Sequence, residues 1–304
     1  MSSSKIRCVG IYYHPRLQEA KHSAELLSAR LAEHINDVWL SDPWNSETST
    51  ARLSETDLLI CLGGDGTVLR AARGTAPYRA VILGVDMGRQ AFLTELTPEQ
   101  IDDHLPALLR GEFEIEERTM LEARPQAAVD APGERMPALN DVMLGRGSLG
   151  QPAYLWVHVN GDLIGVVRAD AIVVASATGS TGYSLSAGGP ILHPQSRSVV
   201  LTPVAPHLAA AAPLVLPSDV IIQLNLGREH PGSLSVDGQG PYRLEPGGGV
   251  EVRRSEHLAR LVRFGERPFF PQLGRRLAWL EERRLRAASR TGIEAFDPTG
   301  TDSD

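Results

Sequence analysis

Cysteine is nearly absent from this 304-residue chain: there are two, Cys8 and Cys61, and they form no C-x-x-C pair. That excludes a disulfide framework and a dithiol redox motif. Each lies in an apolar, strand-like run and reads as a buried, inert thiol, which suits a reducing cytoplasm. Basic residues are in deficit, 30 Lys plus Arg against 37 Asp plus Glu, for a net charge of −7. With no basic stripe in the middle of the chain, no nucleic-acid partner is expected. Long hydrophobic runs are missing too. Nothing reaches the ~18 apolar residues of a membrane span, and the mild run 208–216 is broken by Pro213. Met1-Ser2-Ser3-Ser4-Lys5 has no apolar signal-peptide core, so a cytoplasmic protein with no membrane partner is expected. Two nucleotide fingerprints are also lacking. The first strand–helix junction has no G-x-G-x-x-G, and no G-x-x-x-x-G-K-[ST] occurs anywhere.

What is present divides by texture. Up to residue 112, short apolar runs (Lys5–Tyr13, Val38–Leu40, Leu58–Leu62, Ala80–Val85) alternate with helical patterns at Gln18–His34, Thr67–Arg73 and from Thr97 to Gly111. In the last of these, Thr97, Pro98 and Gln100 form an N-terminal capping signature. Asp42–Ser54 reads as a loop. This order predicts an α/β domain over 1–112 with an open, largely parallel sheet. From 113 to 268 the signals are strands: Phe113–Arg124, a Pro-rich tip at Pro125–Pro137, a hairpin at Leu155–Leu163 turning on Asn160-Gly161, then Val220–Leu226, Ser233–Val236 and Gly249–Arg254. These predict a β-rich, sandwich-like second domain. An amphipathic helix over 269–288 is expected to pack back on the first domain, followed by a frayed tail at 289–304.

Three stretches carry chemistry. Leu58–Leu62 runs into Gly63-Gly64-Asp65-Gly66-Thr67, a buried strand entering a glycine turn before a helix. Such a turn lets backbone amides approach phosphate. An acid there is repulsive to phosphate unless it accepts a proton or helps hold a metal, so the alternatives are a solvated turn residue or a general base. Residues 169–194 lead from a strand into a turn dense in hydroxyls, with Thr178, Ser180, Thr181 and Ser184 around Tyr183. Either this caps a helix or it surrounds a polar ligand with a flat base. Asn140-Asp141 interrupts an apolar run, as a bulge or as a pair of ligand contacts in which the acid accepts from a ribose diol.

Taken together, Gly63–Thr67, Asn140-Asp141, Thr178-Gly179-Ser180-Thr181-Gly182-Tyr183 through Ser186-Ala187-Gly188-Gly189-Pro190, Thr202-Pro203, Val236-Asp237-Gly238 and the closing Phe269-Phe270 to Trp279 resemble the NAD kinase family over nearly the whole chain. The resemblance implies transfer of phosphate from ATP, or polyphosphate, to the adenosine-ribose 2′-hydroxyl of NAD. It also implies Mg²⁺ or another divalent cation, and a homodimer or homotetramer. By the same resemblance Asp65 is the base, with Gly63, Gly64, Gly66 and Thr67 on phosphate. Asn140, Asp141, Asp170, Thr178, Ser180, Thr181, Tyr183 and Ser186 are implied to contact NAD, and Asp86, Arg89, His207 and Asp237 occupy further motif positions. No metal ligand is assigned.

Several positions depart from the family pattern. Asp86 replaces a usual Asn, Gln90-Ala91 a usual Leu-Gly, Ala177 a usual Pro and Gly182 a usual Ala; Ala212 stands where Arg is frequent. The loss of that cation bears on phosphate binding. These departures keep two other readings open: a silent paralogue that senses NAD(H), and a lipid kinase sharing the glycine turn.

Overall fold

The computed structural model describes residues 6–44, 51–88, 91–131, 135–148, 151–207, 212–265, 268–275 and 277–278. Residues through Gly265 form one compact unit, and those from Glu266 a second. The first half of the larger unit alternates β1 (Cys8–Tyr13), α1 (Gln18–Ala32), β2 (Asp37–Ser41), β3 (Leu58–Gly63), α2 (Asp65–Thr75), β4 (Val81–Asp86) and α3 (Ile101–Arg110). Its four strands are parallel, in the order β2-β1-β3-β4. The chain leaves β1 toward β2 on one side and returns to β3 on the other. That reversal makes the carboxyl ends of β1 and β3 a topological switch point, where open α/β sheets form ligand crevices.

The side chains explain these elements. In β3, Leu58, Ile60 and Leu62 enter one core with Val9, Ile11 and Leu83, while Leu59 and Cys61 enter another with Val68 and Ile82. A strand covered on both faces needs a continuous apolar run. Helix α1 buries Ala20, Ala24, Leu27 and Leu31, at spacings of four, three and four. Leu26 lies off that stripe and is 45% exposed. The capping signature holds, with the Thr97 amide donating to Gln100 Oε1 at 3.0 Å. Gly111 then ends α3 at φ 71°. Cys8 and Cys61 are buried and free, and burial raises both thiol pKa values.

The second half is strand-rich: β5 (Glu114–Ala128), β6 (Met136–Ala138), β7 (Asp141–Arg146), β8 (Ala153–Val159), β9 (Asp162–Ala169), β10 (Ala171–Ala175), the one-turn α4 (Tyr183–Ser186), β11 (Ser198–Val204), β12 (Leu214–Pro217), β13 (Ile222–Leu226), β14 (Gly232–Val236) and β15 (Gln239–Arg263). Antiparallel ladders run β12-β11-β10-β7-β14-β15, and a parallel pairing of Leu261 with Ile82 joins β15 to β4. Asn160 and Gly161 turn the β8–β9 hairpin at φ 53° and 88°, as a two-residue primed turn requires.

Three expectations need correction. The strand read at Gly249–Arg254 is part of β15, 25 residues long. Pro246, Gly247 and Gly248 look like a break but fall in a register shift against β5 between Leu244 and Gly249. The tip expected at Pro125–Pro137 is shorter, because β5 continues to Ala128 and pairs with β6. The loop expected at Asp42–Ser54 ends in helical turns from residue 51. In the second unit, 269–275 and 277–278 are helical. The expected continuation of that helix and the tail at 289–304 lie outside the described residues.

Candidate active site

The glycine turn is pinned at the carboxyl end of β3. The His14 amide donates to Leu62 O at 3.0 Å and the Met87 amide to Gly63 O at 3.1 Å. A Cβ on Gly63 would fall on the Thr67 side chain, whereas one on Gly64 or Gly66 would meet open space. Asp65 opens α2, and its carboxylate spans two backbone donors of the segment after β4. Oδ1 accepts from the Leu93 amide at 2.9 Å and Oδ2 from the Phe92 amide at 3.2 Å. Thr67 is fully buried, and its hydroxyl makes no hydrogen bond among the described residues. Asp86 pairs with Gly63 across β3 and β4 and accepts from the Ala91 amide at 3.2 Å. Arg89 lies outside the described residues.

A cleft of about 370 Å³ opens beside α2, lined by Leu69, Asn140, Asp141, Met143, Tyr183, Ser235, Asp237 and Gly238. Asp65, Leu69 and Arg73 recur every four residues and so share one helix face. That face is turned to the cleft: Leu69 lines it, and Arg73 Nη1 donates to Val236 O at 3.4 Å. Asp237 organises the opposite wall. Its carboxylate accepts from the amides of Leu139 (2.7 Å), Asn140 (2.8 Å) and Asp141 (3.0 Å). At φ 50°, Asp237 sits in the left-handed region, so the turn aims its side chain back at the Asn140-Asp141 backbone. Burial, together with the Asp237 charge, raises the buried Asp141 carboxyl to about 7. Burial also raises Asp237, against the three amides and Arg73.

The hydroxyl-rich turn forms the next wall, and much of it faces inward. Ser180 is fully buried, donating to Ala177 O at 2.7 Å and accepting from the Leu192 amide at 2.9 Å. Thr181 donates to Thr178 O at 3.1 Å. Ser184 is bonded to Thr202 at 2.8 Å. These hydroxyls tie the turn together, leaving Tyr183, 46% exposed, and Ser186 at the surface. Gly179 packs so tightly on Asn140 that a Cβ would fall on its carbonyl. Ser176 donates to Leu139 O at 2.5 Å and accepts from the Gly179 amide, clamping the turn to the Asn140 segment.

Two expected residues stand elsewhere in this chain. Asp170 pairs with Arg146 at 3.1 Å. In the β7–β10 register it lies beyond Ala171–Gly145, while Asp141 pairs with Ala175 at the other end, roughly 17 Å away along the strand. His207 is exposed, and its amide donates to Arg168 O beside Asp170. A larger groove of about 930 Å³, lined among others by Tyr154, Trp156, Arg168 and His230, contains none of the residues expected at the site.

Sequence reasoning missed a buried ionic network that supports both walls. Arg263 pairs with Glu95 at 3.2 Å and Glu116 at 2.7 Å and donates to Leu93 O at 3.4 Å. Arg118 pairs with Glu116 at 2.7 Å and donates to Thr178 Oγ1 at 3.4 Å. Burial pushes Glu116 up, but Arg118 and Arg263 outweigh it and hold its carboxyl below the usual range. The signal was present: Glu116 and Arg118 alternate on one face of β5.

The arrangement has counterparts among known proteins. The ATP-NAD kinase N-terminal domain model matches residues 8–113, and the ATP-NAD kinase C-terminal domain model matches 139–264. The chain is 35% identical to an NAD kinase of Dehalococcoides mccartyi over 86% of its own length and 92% of that protein's. It is 37% identical to one of Citrifermentans bemidjiense over 91% and 99%. Yeast NADH kinase complexed with NADH shares the fold, with a TM-score of 0.78 at 20% identity over 99% of this chain and 91% of that one. An NAD kinase from Archaeoglobus fulgidus in complex with ATP superposes with a TM-score of 0.66 at 25% identity over 84% and 93%. Both halves match the same enzyme, in chain order and at that length and identity, so this chain belongs to the NAD kinase family.

Proposed function

We propose that this protein is an NAD kinase that transfers the terminal phosphoryl group of ATP to the adenosine-ribose 2′-hydroxyl of NAD, forming NADP. The observation that carries this reading is the placement of Asp65. Two amides fix its carboxylate at the start of α2, one turn before Leu69, which lines the cleft of Asn140, Asp141, Tyr183 and Asp237. In the reaction the 2′-oxygen forms a bond to the γ-phosphorus while the bond to the ADP oxygen breaks. The 2′-hydroxyl proton passes to Asp65. In a loose phosphoryl-transfer transition state that proton leaves late, so positioning and charge neutralisation supply most of the rate. With its carboxyl raised to about 7 by burial and the Asp237 charge, Asp141 can donate to or accept from ribose hydroxyls, and Tyr183 lines the same cleft.

A divalent cation fits this arrangement. Mg²⁺ is commonly held by one or two carboxylates together with substrate phosphates; Asp65 is the carboxylate of this turn, and the flanking Gly64 and Gly66 leave open space. When bound, the cation would neutralise charge on the donor phosphates. Polyphosphate remains an alternative donor. A homo-oligomer is supported by the β9 edge strand, which exposes Leu163, Ile164 and Val166. Among the described residues no helix is long and apolar enough to cross a membrane, and the two buried free thiols suit the cytoplasm. The domain boundary near 112 falls where parallel strands give way to antiparallel ones.

The test is to incubate the protein with NAD, ATP and Mg²⁺ and follow NADP with an NADP-specific dehydrogenase. NADP formation supports the reading. NAD binding by calorimetry without NADP formation would favour the sensor, and phosphorylation of a micellar lipid with NAD ignored would favour a lipid kinase. No observation in the structure favours either alternative.

A further inference from the structure

Arg70 lies on α2 five residues after Asp65 and off the helix face that addresses the cleft. Its guanidinium stands 4.5 Å from the centroid of the Trp44 ring. The His14 ring lies 4.7 Å from the same ring, tilted by 57°. His14 also borders the glycine turn, 3.5 Å from where a Gly63 Cβ would be. The residues following β1 (His14) and β2 (Trp44) thus meet a residue of the helix following β3 (Arg70), at the switch point between β1 and β3. Among the described residues Arg70 makes no hydrogen bond and no ion pair, although it is half-buried. Burial and the neighbouring Arg73 lower its pKa, and Asp42 and Tyr242 oppose them. Arg73 is engaged by Val236 and faces the Asp237 wall. A partly desolvated guanidinium with no ion-pair partner among the described residues is costly to keep, and the space beside Gly64 and Gly66 is open.

We propose that Arg70, braced by Trp44 and His14, is the cation that binds the phosphate chain of the phosphoryl donor. The inference rests on the kinase reading and adds a residue to its donor side. The ligand chemistry is a linear triphosphate, carried by a nucleoside or present as inorganic polyphosphate. Arginine suits it because its planar fork binds phosphate oxygens in pairs and can remain stacked on Trp44 while doing so.

The experiment compares wild type with Arg70→Gln, Arg70→Lys and Trp44→Ala. Steady-state kinetics would be run with ATP varied and then NAD varied. Calorimetric titrations with ATP and with inorganic tripolyphosphate, both with Mg²⁺, would accompany them, and thermal melts would confirm that each variant is folded. Arg70→Gln is expected to raise the KM for ATP at least tenfold, to weaken both ligands alike in calorimetry, and to leave the KM for NAD within twofold. Arg70→Lys should recover part of the loss, and Trp44→Ala should show a smaller defect of the same kind. Unchanged ATP and tripolyphosphate binding in folded Arg70→Gln would overturn the proposal. So would weakened ATP with unaffected tripolyphosphate, since Arg70 would then be reading the nucleoside. A wild type that binds both ligands through Arg70 but forms no NADP would leave this assignment standing while the kinase reading fails.

Discussion

The Leu93 amide donates to Asp65 Oδ1 at 2.9 Å, although 28 residues separate the two. The Leu93 carbonyl in turn accepts from Arg263 at the end of β15. The proposed base is therefore held by a backbone segment that is itself held by a buried arginine. Asp65→Asn keeps one acceptor oxygen and loses the base. NADP formation is expected to fall by ~10²–10⁴-fold, with NAD binding by calorimetry largely retained. Wild-type turnover in the variant would remove the role.

The carboxyls of Asp141 and Asp237 give a pH signature. Asp141 is raised from the ordinary 3.8 to about 7, so the folded protein holds a proton that the unfolded chain releases. The associated stability is complete below the unfolded value and is lost as pH rises toward the folded one. Between pH 5 and 7 the wild type should lose stability relative to Asp141→Asn, on the order of 1 kcal/mol per pH unit. Urea midpoints across that range measure it, and parallel curves would contradict it.

The contact of Gly179 with Asn140 predicts a contrast between two glycines. Gly179→Ala puts a methyl group on the Asn140 carbonyl. It should cost about 1–3 kcal/mol by overpacking and raise the KM for NAD by displacing the Asn140-Asp141 wall. Gly66→Ala meets open space and should leave the melting temperature nearly unchanged. Equal melts for the two variants would refute the packing argument.

Arg118 is buried between Glu116 and Thr178. Arg118→Met leaves Glu116 with Arg263 alone and should destabilise the protein by about 3–5 kcal/mol in urea denaturation. Replacing Glu116 by Gln in the same chain should return part of that loss, because the leftover charge is then removed.

The α/β order, the capping at Thr97 and the hairpin at Asn160-Gly161 were legible because each depends on side chains close in sequence. Asp65 was legible because an acid within a glycine turn is chemically odd. Its anchors were not, since the amides of Phe92 and Leu93 carry no side-chain signature. The hydroxyl-rich turn shows a different limit. Ser180 and Thr181 stand beside Tyr183 in the text, yet their hydroxyls close the turn on itself. Composition can count hydroxyls but cannot say which way they point. Asp170 was expected on NAD by resemblance, together with Thr178, but β10 carries the chain from one end of the sheet to the other between them.

Strand β15 pairs with β14 near its start and with β4 near its end. The walls that carry Asp237 and Asp65 are therefore bridged by one unbroken strand rather than by a flexible linker. Closure around a nucleotide cannot be the swing of two bodies on a string. A torsion of β15 is what is left, and the register shifts against β5, between Leu244 and Gly249 and between Arg254 and Leu258, are where an irregular ladder twists more readily than a regular one. The enzyme's working stroke would then be short and stiff, like the flexing of a leaf spring.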